Sequence, residues 1–145
     1  GDISRKRNQK NIAKIRGDIY NGKYAEFMVY NYFRSIGSDI TVPDVEIYNA
    51  PGKTFDADLI CDGRNLHVKS HRTNGMFPKS WLFQKNDPLI INKPKNDVLI
   101  LVVMGDDMNY MYGVNINSVE LSEPKLDRLK MGKTCIYEES LLTPR

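Results

Sequence analysis

The chain has 145 residues, a length that suits one domain with one hydrophobic core. Apolar residues make up 41% and charged residues 27%, the balance of a soluble globular protein rather than a disordered one. No apolar run approaches the roughly 18 residues that span a bilayer, and the formal charge of +3 alone does not announce a nucleic-acid binder.

The charge is unevenly placed. Arg5, Lys6, Arg7, Lys10, Lys14 and Arg16 face a single acid, Asp2, in the first sixteen residues, and Lys125, Arg128, Lys130 and Lys133 form a second cluster. Basic ends on a nearly neutral body fit contact with a phosphate backbone. Residues 1–16 therefore read as a basic N-terminal arm and 120–145 as a basic C-terminal extension of one domain spanning 1–145. The basic start is not followed by the apolar stretch of a secretory signal, which leads to a cytoplasmic expectation. The chain opens on Gly1 rather than Met, so a leader ahead of it is left open. Cys61 and Cys135 are too few to staple the fold and read as reduced, partly buried thiols.

In chain order, Asp18 to Ile36 reads as a helix opened near Gly17 and closed by Gly37. Its wide apolar surface (Tyr24, Phe27, Met28, Val29, Tyr32, Phe33, Ile36) predicts cover on more than one side. The tyrosines on it, Tyr20, Tyr24, Tyr30 and Tyr32, read as packing residues rather than base-stacking ones. After Pro43, Val45 to Tyr48 is a short strand candidate and Asn49 to Lys53 a turn. Phe55 to Cys61 is a strand, Asp62-Gly63 a tight turn, and Asn65 to His71 the returning strand. Thr73-Asn74-Gly75 starts a loop. Lys79 to Lys85 reads as a helical turn or short helix before Pro88. The run VLILVVM, Val98 to Met104, predicts a central strand buried on both faces. Tyr110 to Ile116 returns as another strand, and Glu123 to Lys130 is a short helix after Pro124. The order predicts an α/β or α+β fold, a single layer of sheet with helices packed on it.

The segment FDADLICDGRNLHVKSH, Phe55 to His71, concentrates the chemistry. Alternation puts Asp56, Asp58 and Ile60 on one face of the first strand, and His67, Lys69 and His71 on one face of the second. A two-residue Asp62-Gly63 turn pairs Cys61 with Arg64, sets Asp58 across from His67 and Asp56 across from Lys69. A slip of one residue would undo both pairs. Acids, an imidazole and a lysine on one face suit phosphodiester cleavage. Carboxylates hold a hard divalent cation, the cation lowers the pKa of a bound water, and the ammonium stabilises charge on the phosphate.

Asp58 followed eight residues later by His67-Val68-Lys69 resembles the signature of the PD-(D/E)XK nuclease superfamily. The order of elements is similar to that family's core: a helix, a three-stranded run, a helix and a further strand. The resemblance implies a restriction-endonuclease-like fold, a mixed sheet of about 4–5 strands flanked by helices, and Mg²⁺ or Mn²⁺ as cofactor. It also implies a catalytic set of Glu26, Asp58, His67, Lys69 and Gln84. Asp58, Glu26 and His67 would hold the metal. Glu26 stands on the first helix at helical spacing from Gly22, Val29 and Phe33, and Gln84 would reach in from a helix after the lysine strand. Asp56 competes with Asp58 for the first-motif role, while Pro43-Asp44 reads as a turn. His67 departs from the pattern, which has an acid there. It leaves open metal ligation, water positioning or loss of activity.

The resemblance implies a DNA endonuclease on double-stranded DNA, of homing, restriction or junction-resolving type. A homo-oligomer, most simply a dimer, would bring two sites to two strands. Arg5, Lys6, Arg7, Lys10, His71 and Arg72 would contact the nucleic acid. The alternatives are a binding module of the same fold without catalysis, and an interaction protein whose charged face is only a salt-bridge lattice.

Overall fold

The computed structural model describes residues 21–43, 58–73 and 78–142. The expected arm, the strand at 45–48, the turn at 49–53, Asp56 and the contacts at Arg5, Lys6, Arg7 and Lys10 lie outside the described residues.

The first helix, α1, occupies residues 21–35 of the described chain. It buries Ala25 and Val29 completely and packs Met28 and Phe33 beside them, a single stripe at helical spacing. Tyr24, Tyr32 and Ile36 stay exposed, so among the described residues the fully buried side chains of α1 lie on one face. A Schellman cap ends it: Gly37 has φ +87, its N–H bonds Arg34 O, and Ser38 N–H bonds Phe33 O. Ile40 then makes a single bridge to Cys61.

Strands β1 (Leu59–Cys61) and β2 (Arg64–Arg72) form the expected hairpin. Asp62 at φ 49 and Gly63 at φ 81 are both left-handed, as a type I′ turn requires. The turn sets the register Cys61↔Arg64, Ile60↔Asn65 and Leu59↔Leu66. After β2 come β3 (Ser80–Gln84) and a one-turn helix α2 (Pro88–Asn92). In α2, Asp87 caps Leu89 N–H at 2.9 Å and Pro88 takes the first helical position. Strand β4 (Val98–Met104) runs parallel to β2, and β5 (Asn109–Val114) returns antiparallel. A 3-10 turn at Ile116–Ser118, a single turn α3 (Asp127–Lys130), strand β6 (Lys133–Tyr137) and α4 (Glu138–Leu142) complete the described chain.

Among the described residues the main sheet has four strands in the order β1-β2-β4-β5. β4 is its buried centre, as its apolar run predicts, with Leu101, Val102 and Val103 fully inaccessible. Its two faces feed two apolar clusters. Ile100, Val102 and Met104 join Leu59, Cys61, Leu66 and α1. Leu99, Leu101 and Val103 join Trp81, Phe83 and Ile136.

That second face corrects the sequence reading. Lys79 to Lys85 is not helical: β3 pairs antiparallel with β6 in a second, two-stranded sheet. Trp81 and Phe83 are buried while Leu82 and Gln84 are exposed, a period of two hidden inside the apolar triplet Trp81-Leu82-Phe83. A partner strand from far along the chain decides the conformation there, not local propensity. Among the described residues there are two sheets, and the strand pair, joined by Leu89 of α2 and Leu141 of α4, covers the face away from α1. Residues 120–142 are more than an extension, since β6 contributes the fully buried Cys135 and Ile136. The expected helix from Glu123 is only the turn of α3. Both cysteines are free and buried. Among the described residues no helix is long and apolar enough to cross a membrane.

A shared carboxylate ties the two sheets together. Glu138 Oε2 accepts from the Tyr110 hydroxyl at 2.5 Å and the Tyr112 hydroxyl at 2.9 Å, and Lys79 Nζ donates to Tyr110 Oη at 3.0 Å. Desolvation first, then the bond to Glu138, pushes the Tyr112 phenol up to about 12.

The burial of β4 on both faces yields a stability prediction. Leu101→Ala is expected to cost about 2–5 kcal/mol in urea unfolding, because both sheets enclose the side chain. Leu82→Ala, at 38% exposure, is expected to cost under about 1 kcal/mol.

Candidate functional site

The hairpin register ends at Leu59↔Leu66; Asp58 is a bend just outside β1, so the expected strand pairing of Asp58 with His67 is not formed. Asp58 N–H donates to Leu66 O at 3.0 Å. Val68 N–H donates to Asp58 Oδ2 at 2.7 Å. A strand N–H lies in the plane of its sheet, so this bond draws the carboxylate to the sheet edge, where β1 stops.

That edge position lets groups from both layers act on Asp58. Burial raises the carboxyl above its ordinary pKa; the Val68 N–H and the charges of His67, Lys69 and Lys23 oppose the rise without cancelling it. Part of the residue remains open to solvent, so the rise reflects protein crowded around the carboxylate rather than full enclosure. His67 and Lys69 come from the β2 face turned toward the second sheet, in rows with Leu99 and Leu101. Lys23 comes from α1, on the other face.

Lys23 links Glu26 to the same edge. Its Nζ lies 3.2 Å from Glu26 Oε2, and the Glu26 side chain is only 13% exposed. The sequence reading missed Lys23, one charge among many on a helix, although its i, i+3 spacing to Glu26 was visible.

Lys69 is half-buried, with Nζ 4.9 Å from the centroid of the Phe83 ring. Phe83 was not foreseen as a site residue because β3 was not foreseen as a strand. Gln84 stands on the opposite side of β3 from Phe83, exposed, and so is not brought to Lys69.

His67 has a partner that no local spacing suggests. Its Nε2 lies 2.8 Å from Asp97 Oδ2, and Asn65 Nδ2 reaches Asp97 Oδ1 at 3.5 Å. The parallel register Leu66↔Val98 creates this meeting by setting Asp97 beside Asn65. His71 is half-buried rather than open at the rim. Its Nδ1 accepts from Ser80 N–H at 3.5 Å. Burial lowers its pKa, Glu138 opposes this, and Lys79 adds to the lowering. Arg72 is exposed, with Nη1 3.5 Å from Asn21 Oδ1. In the C-terminal basic cluster, Lys125 pairs with Glu139 at 3.5 Å and Lys130 with Asp127 at 3.0 Å.

The oxygen donors Asp58 and Glu26 fit a hard divalent cation chemically. His67 fits less well, because Asp97 already engages Nε2. Among the described residues no three His, Cys, Asp or Glu side chains gather as a ligand group. A groove of about 650 Å³ lies near the Asp62 turn, lined by Phe33, Arg64, Lys95, Asp97 and Asn115 among others. It meets the candidate site only at Asp97.

The raised pKa of Asp58 has a consequence for stability. The folded state holds its proton more tightly than the unfolded chain does. Its contribution is therefore full below the ordinary aspartate range and is lost as pH rises through the raised value. Asn keeps an acceptor for Val68 N–H and removes the charge. Asp58→Asn is expected to melt above the parent at about pH 7, with the difference narrowing toward about pH 3 in thermal melts. A difference that widens on acidification would contradict the desolvated carboxylate.

No family model, no curated protein and no solved structure matches the chain, so the reading of this site rests on its own residues.

Proposed function

We propose that this chain is a divalent-metal-dependent DNA endonuclease of the PD-(D/E)XK kind, hydrolysing phosphodiester bonds in double-stranded DNA. The observation that carries this reading is the carboxylate at the end of the hairpin. Val68 N–H holds Asp58 Oδ2 against β2 at 2.7 Å, and the charges of His67 and Lys69 from the same strand act on it. The helix–hairpin order and the parallel step from β2 to β4 support it, as does Glu26 on α1 within reach of the same edge through Lys23.

In this reading Asp58 and Glu26 hold Mg²⁺ or Mn²⁺. The bound ion supplies charge neutralisation at the phosphate and a more acidic water. Lys69, held over Phe83, presents its ammonium to a phosphate oxygen as negative charge develops there. Arg72 and the basic N-terminal residues contact the backbone, which makes binding fall with salt. A homodimer would supply one site for each strand.

A second reading is a DNA-binding module without catalysis. The engagement of His67 by Asp97 favours it, because that imidazole stands where the resemblance calls for a metal-binding acid.

Conversion of supercoiled plasmid to nicked and linear forms, with Mg²⁺ or Mn²⁺, tests the proposal. The parent is expected to cleave, and Asp58→Ala, Glu26→Ala and Lys69→Ala to lose about 10²–10³-fold in rate. Cleavage that survives both Asp58→Ala and Lys69→Ala would sink the site. Salt-sensitive binding without cleavage in either metal would favour the module. An RNA duplex in the same assay reports which nucleic acid is cut.

A further inference from the structure

We propose that Asp97 is a positioning residue that fixes His67 as the Nε2–H tautomer, so that Nδ1 is left as an acceptor that orients the attacking water. The inference rests on the endonuclease reading above and assigns His67 a role other than metal ligation.

A carboxylate can only accept hydrogen bonds, so the nitrogen 2.8 Å from Asp97 Oδ2 must carry the hydrogen. This holds for the neutral ring and for the imidazolium alike. The other nitrogen of the neutral ring, Nδ1, then carries the lone pair. The contact is sheltered, with side chains 15% and 18% exposed, which separates it from a freely solvated surface pair.

Asp97 is itself held. Asn115 Nδ2 donates to the carbonyls of Pro94 at 3.3 Å and of Lys95 and Asp97 at 2.9 Å. Asn117 Nδ2 donates to Lys93 O at 3.0 Å. Residues 93–97 are therefore clamped to the turn that follows β5. On the other side, Asn65 Nδ2 reaches the second carboxylate oxygen at 3.5 Å. One strand, β2, and a clamped loop thus meet at one carboxylate whose partner is His67. His67 is also close enough to Asp58 for its charge to act there.

The chain has two histidines, so a long-range ¹H–¹⁵N correlation spectrum contains two imidazoles, with His71 as the internal reference. His67 in the parent is expected to show the Nε2–H pattern. Asp97→Ala is expected to convert it to a tautomer mixture, leave the His71 pattern in place and slow plasmid cleavage about 10–100-fold. His67→Ala combined with Asp97→Ala is expected to be no slower than His67→Ala alone, because Asp97 acts through the ring. An Nδ1–H pattern in the parent would overturn the proposal even if Asp97→Ala fails to fold. Additive losses in the double variant would also overturn it, by giving Asp97 an effect independent of His67. A parent that cleaves no DNA removes the endonuclease reading and the water-orienting role with it, while the spectrum still decides the tautomer.

Discussion

The parallel pairing of β2 with β4 shapes everything around the candidate site. Parallel neighbours cannot be joined by a tight turn, so the chain must leave the sheet after Arg72 and cross over before Val98. The crossover carries β3 and α2, and β3 recruits β6 as its partner on the face away from α1. Phe83 then comes to lie beneath the Lys69 ammonium, and Trp81 Nε1 bonds Val102 O at 3.0 Å, pinning β3 to the central strand. The same pairing delivers Asp97, at the foot of β4, to His67. The partners of both β2 side chains follow from one strand register.

The sheet edge at Asp58 is where the fold works against its own stability. The carboxylate accepts a backbone N–H and lies within the field of three cationic or ionisable side chains, yet burial still prevails and raises its pKa. A neutral side chain would rest there with less strain on the charge balance. Glu26, nearly enclosed beside Lys23, extends that charged edge onto α1. The Glu138 network is different in kind. Two phenols and an ammonium satisfy its carboxylate, and it joins the two sheets far along β5 from the edge.

How much of this was legible depended on how local the signal was. The hairpin could be read because a two-residue Asp-Gly turn fixes both register and face, and the left-handed angles at Asp62 and Gly63 bear this out. β4 could be read because seven consecutive apolar residues fit a strand covered on both sides. Glu26 could be placed partly inward from helical spacing alone. Gln84 was read onto a helix because Trp81, Leu82 and Phe83 form an apolar run that periodicity cannot assign by itself. Lys23, Phe83 and Asp97 escaped notice because each reaches the site from another element.

The sequence by itself determined the hairpin, its register, the helix that covers one face and the central strand, because turn chemistry and hydrophobic period act within a few residues. It also determined which side chains of β2 share a face, since alternation is a property of the backbone. Only the tertiary structure decided that SWLFQ is a strand, that a second sheet covers the far face, and that Asp97 stands behind His67. Those outcomes depend on pairing between segments distant in the chain, where the stabilising contacts belong to neither segment alone.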